Sequence, residues 1–119
     1  MSEKLTIYHN PRCTKSRQTL RLLEERGLEP DVVRYLETPP SAAKLRKLLA
    51  ALAMSPRELL RKGEEEYKTL GLADPALSDK FLIETMVQHP KLIERPIVVK
   101  GDRAIIGRPP ERVTEWLKH

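Results

Sequence analysis

Lys4-Leu-Thr-Ile-Tyr-His9 alternates apolar Leu5 and Ile7 with polar Thr6 ahead of Asn10-Pro11, a period of two that predicts a short strand stopped by a turn. From Thr14 to Arg26 neither Gly nor Pro interrupts, and Leu20 and Leu23 fall one turn apart before Gly27, so this stretch predicts a helix with a glycine stop. Asp31-Val-Val-Arg-Tyr-Leu36, closed by Thr38-Pro39-Pro40, predicts a second strand. With the helix as crossover, the two strands are expected to run parallel.

The middle of the chain has helical spacing. After Ser41, a helix cap, Ala42, Leu45, Leu48, Leu49 and Leu52 mark one buried face. Ser55-Pro56-Arg57-Glu58 is a capping box with proline at the first helical position, and Lys62-Gly63 marks the expected left-handed end, with Arg61 close to it. Tyr67 to Leu72 predicts a brief helix, and Ser78 predicts the cap of another that carries Leu82, Ile83, Met86 and Val87 and stops at His89-Pro90.

Two further strands, Pro96–Lys100 and Arg103–Ile106, are expected around Gly101-Asp102, the Gly-first pair of a type II′ hairpin. Pro109-Pro110 then opens a last helix with Val113, Trp116 and Leu117 on one face. The order βαβ, helices, ββ, α predicts an α/β fold with one mixed sheet and helices on both faces. No internal repeat is visible, and Pro39-Pro40 and Glu64-Glu65-Glu66 read as local punctuation and a solvated face.

Composition narrows the function. At 119 residues the chain suits one domain, 1–119, and it has neither an apolar run of membrane-spanning length nor a charged leader before an apolar stretch. A soluble, unprocessed, cytoplasmic protein is expected. A single cysteine excludes an internal disulfide, and with only His9, His89 and His119 beside it no zinc pattern arises, so no metal is expected. The net charge of +5 suits an anionic ligand. The basic residues are dispersed and the sole indole, Trp116, lies on a predicted core face, so nucleic acid is not expected as a partner.

The lone thiol carries the candidate chemistry. Cys13 falls at the N-terminus of the first predicted helix, where unpaired amides and partial positive charge favour a thiolate and could also hold an oxyanion beside it. Lys15, Ser16 and Arg17 add donors within one turn, and His9 is near in sequence. A buried structural cysteine is the bland alternative, but Pro11, Arg12, Thr14, Lys15 and Ser16 would make a poor core lining. For His9, a supporting histidine fits at least as well as a general base. Thr19 stands where a phosphatase-type Cys-x5-Arg loop would need arginine. Ser16 stands where Cys-x-x-Cys would need its second thiol, so redox chemistry would require an outside thiol.

His9-Asn10-Pro11-Arg12-Cys13-Thr14-Lys15-Ser16-Arg17 is followed by Leu59-Leu60-Arg61, Tyr67, Leu70-Gly71-Leu72, His89-Pro90, Arg95-Pro96-Ile97-Val98-Val99 and Gly107-Arg108-Pro109. In order and spacing these blocks resemble the glutaredoxin-coupled arsenate reductase family. Thr14 stands where many members have glycine, and with an end at His119 this suggests a short branch of that family.

The resemblance implies a thioredoxin-like mixed four-stranded sheet flanked by helices, with a helical insertion between the βαβ and ββα units. It implies Cys13 as nucleophile, His9 as its nearby histidine, Arg61, Arg95 and Arg108 with Ser16 as oxyanion binders, and Pro96 as a cis-proline. Planar, permanently charged guanidinium groups suit an oxyanion through paired hydrogen bonds. The implied activity is reduction of arsenate to arsenite by a monomer with no bound cofactor, glutathione being the external reductant and glutaredoxin the protein partner. The alternative from the same superfamily is a thiol-sensing regulator that binds RNA polymerase.

Overall fold

A computed structural model of the chain describes residues 4–118; His119, counted above among the soft ligands, lies outside them. The elements in chain order are β1 (Leu5–Tyr8), α1 (Thr14–Glu25), β2 (Asp31–Val33), α2 (Ala42–Leu52), α3 (Pro56–Leu59), α4 (Glu65–Thr69), α5 (Asp79–Gln88), a 3₁₀ turn (Pro90–Leu92), β3 (Ile97–Lys100), β4 (Arg103–Ile106) and α6 (Glu111–Leu117). They form two compact units: a sheet unit, in which the residues up to Thr38 join those from Arg95 onward, and a helical unit, Pro39–Glu94.

The sheet unit has strand order β2-β1-β3-β4. β1 pairs in parallel with β2 and antiparallel with β3, and β3 pairs antiparallel with β4. The register sets Ile7 opposite Val98 and Val98 opposite Ile105, so these three share one face. On that face Leu20 and Leu23 of α1 meet Val113, Trp116 and Leu117 of α6. Gly101 has φ +61°, and Asp102 has no positive φ, which is the type II′ hairpin expected from Gly-Asp.

β2 ends three residues earlier than its β-rich sequence suggests. The amides of Glu37 and Thr38 and the Thr38 hydroxyl all donate to the Arg34 carbonyl. That local turn outcompetes the strand propensity of Tyr35 and Leu36 and leaves Tyr35 buried.

In the helical unit, Ser41, Ser55 and Ser78 each accept a backbone amide as helix caps, and the Ser55–Glu58 box is complete in both directions. Leu45, Leu48 and Leu49 of α2 and Leu82, Ile83 and Met86 of α5 are buried. Contrary to expectation, α3 stops at Leu59 and Gly63 is not left-handed. Leu60 instead forms an antiparallel bridge with Ile93, flanked by Arg61 N–H to Leu92 O at 2.8 Å and Glu94 N–H to Leu59 O at 3.0 Å. Arg61 therefore stands beyond the helix, in bridged extended chain. α4 ends at Thr69 with Leu70 as its cap, and the φ of +64° at the following Gly71 lets the Leu72 amide reach back to Tyr67 O.

Fully buried Leu23 and edge-strand Val32, 43% exposed, should respond differently to truncation. Urea unfolding of Leu23→Ala should show a loss of about 2–5 kcal/mol, whereas Val32→Ala should stay within about 0.5 kcal/mol of the parent.

Candidate functional site

The N-terminus of α1 is built by a tight loop. Asn10 accepts the Cys13 amide on its carbonyl at 2.9 Å and the Arg12 amide on its side-chain oxygen at 3.0 Å, an Asx-type closure. Its own amide donates to the hydroxyl of buried Ser16 at 3.4 Å. Arg17 reaches back to Pro11 O at 2.8 Å and to Thr14 Oγ1 at 3.3 Å. The loop is thus fastened on both sides, with partly exposed Cys13 at the capping position of a twelve-residue helix that has no acidic residue in its first turn.

Cys13 makes no ordinary side-chain capping bond. Its thiol nevertheless ionises below its usual range. Burial pushes it up, but the Ser16 amide, the Arg95 guanidinium, the Ser16 hydroxyl and the Lys15 amide together outweigh that effect. Arg108 adds a second guanidinium contact: its Nη2 lies 3.5 Å from Sγ, while its Nε donates to Arg95 O at 2.7 Å. The segments bearing the two arginines are joined by Gly107 N–H to Pro96 O at 2.9 Å, and both Arg95–Pro96 and Arg108–Pro109 are cis.

The structure therefore brings Cys13, Ser16, Arg95 and Arg108 together. His9 is buried at the end of β1, donates its amide to Val33 O, and leaves Nδ1 without a hydrogen-bond partner. Burial first, then the charges of Arg34 and Arg17, lower its pKa against a smaller opposing pull from Glu24, so the ring is neutral at pH 7. Arg61 belongs to the helical unit, where it pairs with Glu94 at 2.7 Å and with Glu64 at 3.5 Å. Glu64 is thus an ion-pair partner, only partly exposed, rather than part of a purely solvated acidic face.

Sequence reasoning gave Asn10, Thr19 and Gly107 no place in the site: Asn10 stood as part of a turn, Thr19 as the residue in place of an arginine, and Gly107 only within a family block. Asn10 had a signal, the Asn-Pro turn, but not its threefold bonding. Gly107 is not left-handed, and what demands a glycine there is space. Among the described residues no group of three or more His, Cys, Asp or Glu could hold a metal ion, and no helix is long and apolar enough to cross a membrane.

A sequence model of the ArsC family matches residues 8–116. The chain is 60% identical to the uncharacterized protein YfgD of Escherichia coli K12, covering 97% of this chain and 98% of that one. It is 50% identical to an arsenate reductase of the same organism, covering 95% of this chain and 80% of the other. The solved structure of an arsenate reductase from Vibrio cholerae superposes with a TM-score of 0.93 at 51% identity, over 97% of this chain and 98% of that one.

Two titrations follow from the site. Iodoacetamide alkylation of Cys13, which consumes the thiolate, should have its midpoint below about 8.5, and Ser16→Ala should move that midpoint upward. The His9 ring, followed by NMR, should titrate below about 6.5. Between that lowered value and the ordinary one the unfolded chain binds the extra proton, so His9 makes stability fall as pH falls through this window.

Proposed function

The chain belongs to the ArsC family, and on that premise we propose that it is an oxidoreductase that reduces arsenate to arsenite through Cys13, with glutathione and glutaredoxin as the electron source. The observation that carries this reading is the Cys13 sulfur at the N-terminus of α1 with the Arg108 guanidinium 3.5 Å away. One group of donors favours the thiolate and also suits a bound oxyanion.

In the proposed reaction arsenate is gripped by Arg95 and Arg108 beside the Ser16 and Lys15 amides. The Cys13 thiolate attacks arsenic, a sulfur–arsenic bond forms, and one arsenate oxygen leaves as water after protonation. Glutathione thiolate then attacks the Cys13 sulfur. The sulfur–arsenic bonding pair stays with arsenic, which falls from As(V) to As(III) and departs as arsenite, and the two sulfurs form a mixed disulfide. Glutaredoxin takes the glutathione by thiol–disulfide exchange and restores Cys13. Glutathione supplies the first external thiol because the chain has one cysteine and cannot close a disulfide on itself.

His9, neutral at pH 7, is assigned a supporting place rather than that of a charged partner to the thiolate. Arg61 is assigned to the substrate by the family pattern alone. The cytoplasm is the proposed location, because the proposed reaction draws on glutathione and glutaredoxin. Relatives named as arsenate reductases, at about half identity, favour this enzyme over a polymerase-binding regulator.

The test is arsenate-dependent NADPH consumption coupled through glutathione, glutaredoxin and glutathione reductase. Cys13→Ser should reduce it to background, and equal rates in parent and mutant would overturn the reading. Arg108→Lys, which exchanges a planar fork for a point charge, should raise KM for arsenate by about ten- to a hundredfold, the loss of one charged hydrogen bond of about 1.5–3 kcal/mol.

A further inference from the structure

The buried stripe of α1 consists of Ser16, Thr19 and Leu23. Leu23 lies in the core and Ser16 fastens the nucleophile loop, but the Thr19 hydroxyl is fully buried with no hydrogen-bond partner. A hydroxyl left in that state is unfavourable. What Thr19 does contribute is shape.

A Cβ placed on Gly107 would lie 2.6 Å from Thr19 Oγ1, 3.2 Å from Thr19 Cγ2 and 3.0 Å from Pro96 Cγ. Both branches of the threonine touch that point, so turning its stiff χ1 mainly exchanges one branch for the other. Pro96 closes another side. Because Gly107 is not left-handed, its backbone does not require glycine, and only this close approach does.

The next residue is Arg108. Its chain is pinned by Gly107 N–H to Pro96 O at 2.9 Å, and its side chain by Nε to Arg95 O at 2.7 Å, with Nη2 3.5 Å from the Cys13 sulfur. The packing of Gly107 on Thr19 thereby ties the body of α1 to the arginine that meets the sulfur at its start.

We infer that Thr19 and Gly107 are positioning residues, a steric seat that sets where the Arg108 guanidinium stands beside Cys13 and so how firmly the sulfur is held as an anion. Any consequence for turnover rests on the reductase reading above; the ionisation of Cys13 does not.

The experiment is a double-mutant cycle on the full chain, reading the pH midpoint of Cys13 alkylation together with the thermal midpoint as a check on folding. Gly107→Ala should raise the alkylation midpoint by about one pH unit, a tenfold loss in the thiolate ratio. Thr19→Ala, which empties the seat from the other side, should raise it as well. The Thr19→Ala/Gly107→Ala double variant, with one methyl filling the space, should bring it back toward the parent value. A folded Gly107→Ala protein with the parent midpoint, or a double variant no better than the singles, overturns the inference. Should Gly107→Ala fail to fold, a parent-like midpoint in Thr19→Ala overturns it. These midpoints are read without arsenate, so an absence of turnover counts against the reductase reading alone.

Discussion

The unpaired amides at the N-terminus of α1 are the constraint around which the sheet unit is arranged. A helix start ordinarily satisfies them with a serine, threonine, aspartate or asparagine side chain, worth about 1 kcal/mol. Here the capping residue is Cys13, whose sulfur makes no such bond. The positive end of a twelve-residue helix is thus left facing a group that can ionise, with no acidic side chain in the first turn to neutralise it. Stability is given up at the point where an anion is wanted, and the loop compensates through Asn10, which ties the Cys13 and Arg12 amides while its own amide rests on Ser16.

Ser16 explains why the thiol is alone. At the position where a Cys-x-x-Cys pair would carry its second sulfur, the side chain is fully buried and accepts the Asn10 amide. A cysteine there would replace a good oxygen acceptor with a weak one. The same hydroxyl, with the Ser16 amide, helps keep the Cys13 thiol low. The residue that stands in place of a second thiol thereby strengthens the loop and favours the Cys13 thiolate, and in the proposed reaction it leaves the reducing step to an external thiol.

Features set by neighbouring residues were legible in the sequence. The Ser41, Ser55 and Ser78 caps, the Gly101-Asp102 turn and the uninterrupted run of α1 each arise from interactions a few residues long, and each is found as read. The place of Cys13 at a helix start was legible for the same reason. What escaped depends on distant partners. α3 gives way after Leu59 because Leu60 finds Ile93, which carries Arg61 off the helix end and into a pair with Glu94, thirty-three residues away. Thr19 read only as the residue in place of an arginine and Gly107 only as part of a family block, since their fit joins residues 88 positions apart, the difference 107 − 19.

The arginines show how little a residue type alone decides. Arg108 donates its Nε to the Arg95 carbonyl at 2.7 Å and brings its Nη2 to 3.5 Å from the Cys13 sulfur. Arg61 is oriented by carboxylates, Glu94 at 2.7 Å and Glu64 at 3.5 Å, and within its own unit much of its charge is already answered. An anion that recruits Arg61 must compete with those carboxylates. The net charge of +5 predicts neither placement; each follows from the particular groups within reach of the guanidinium.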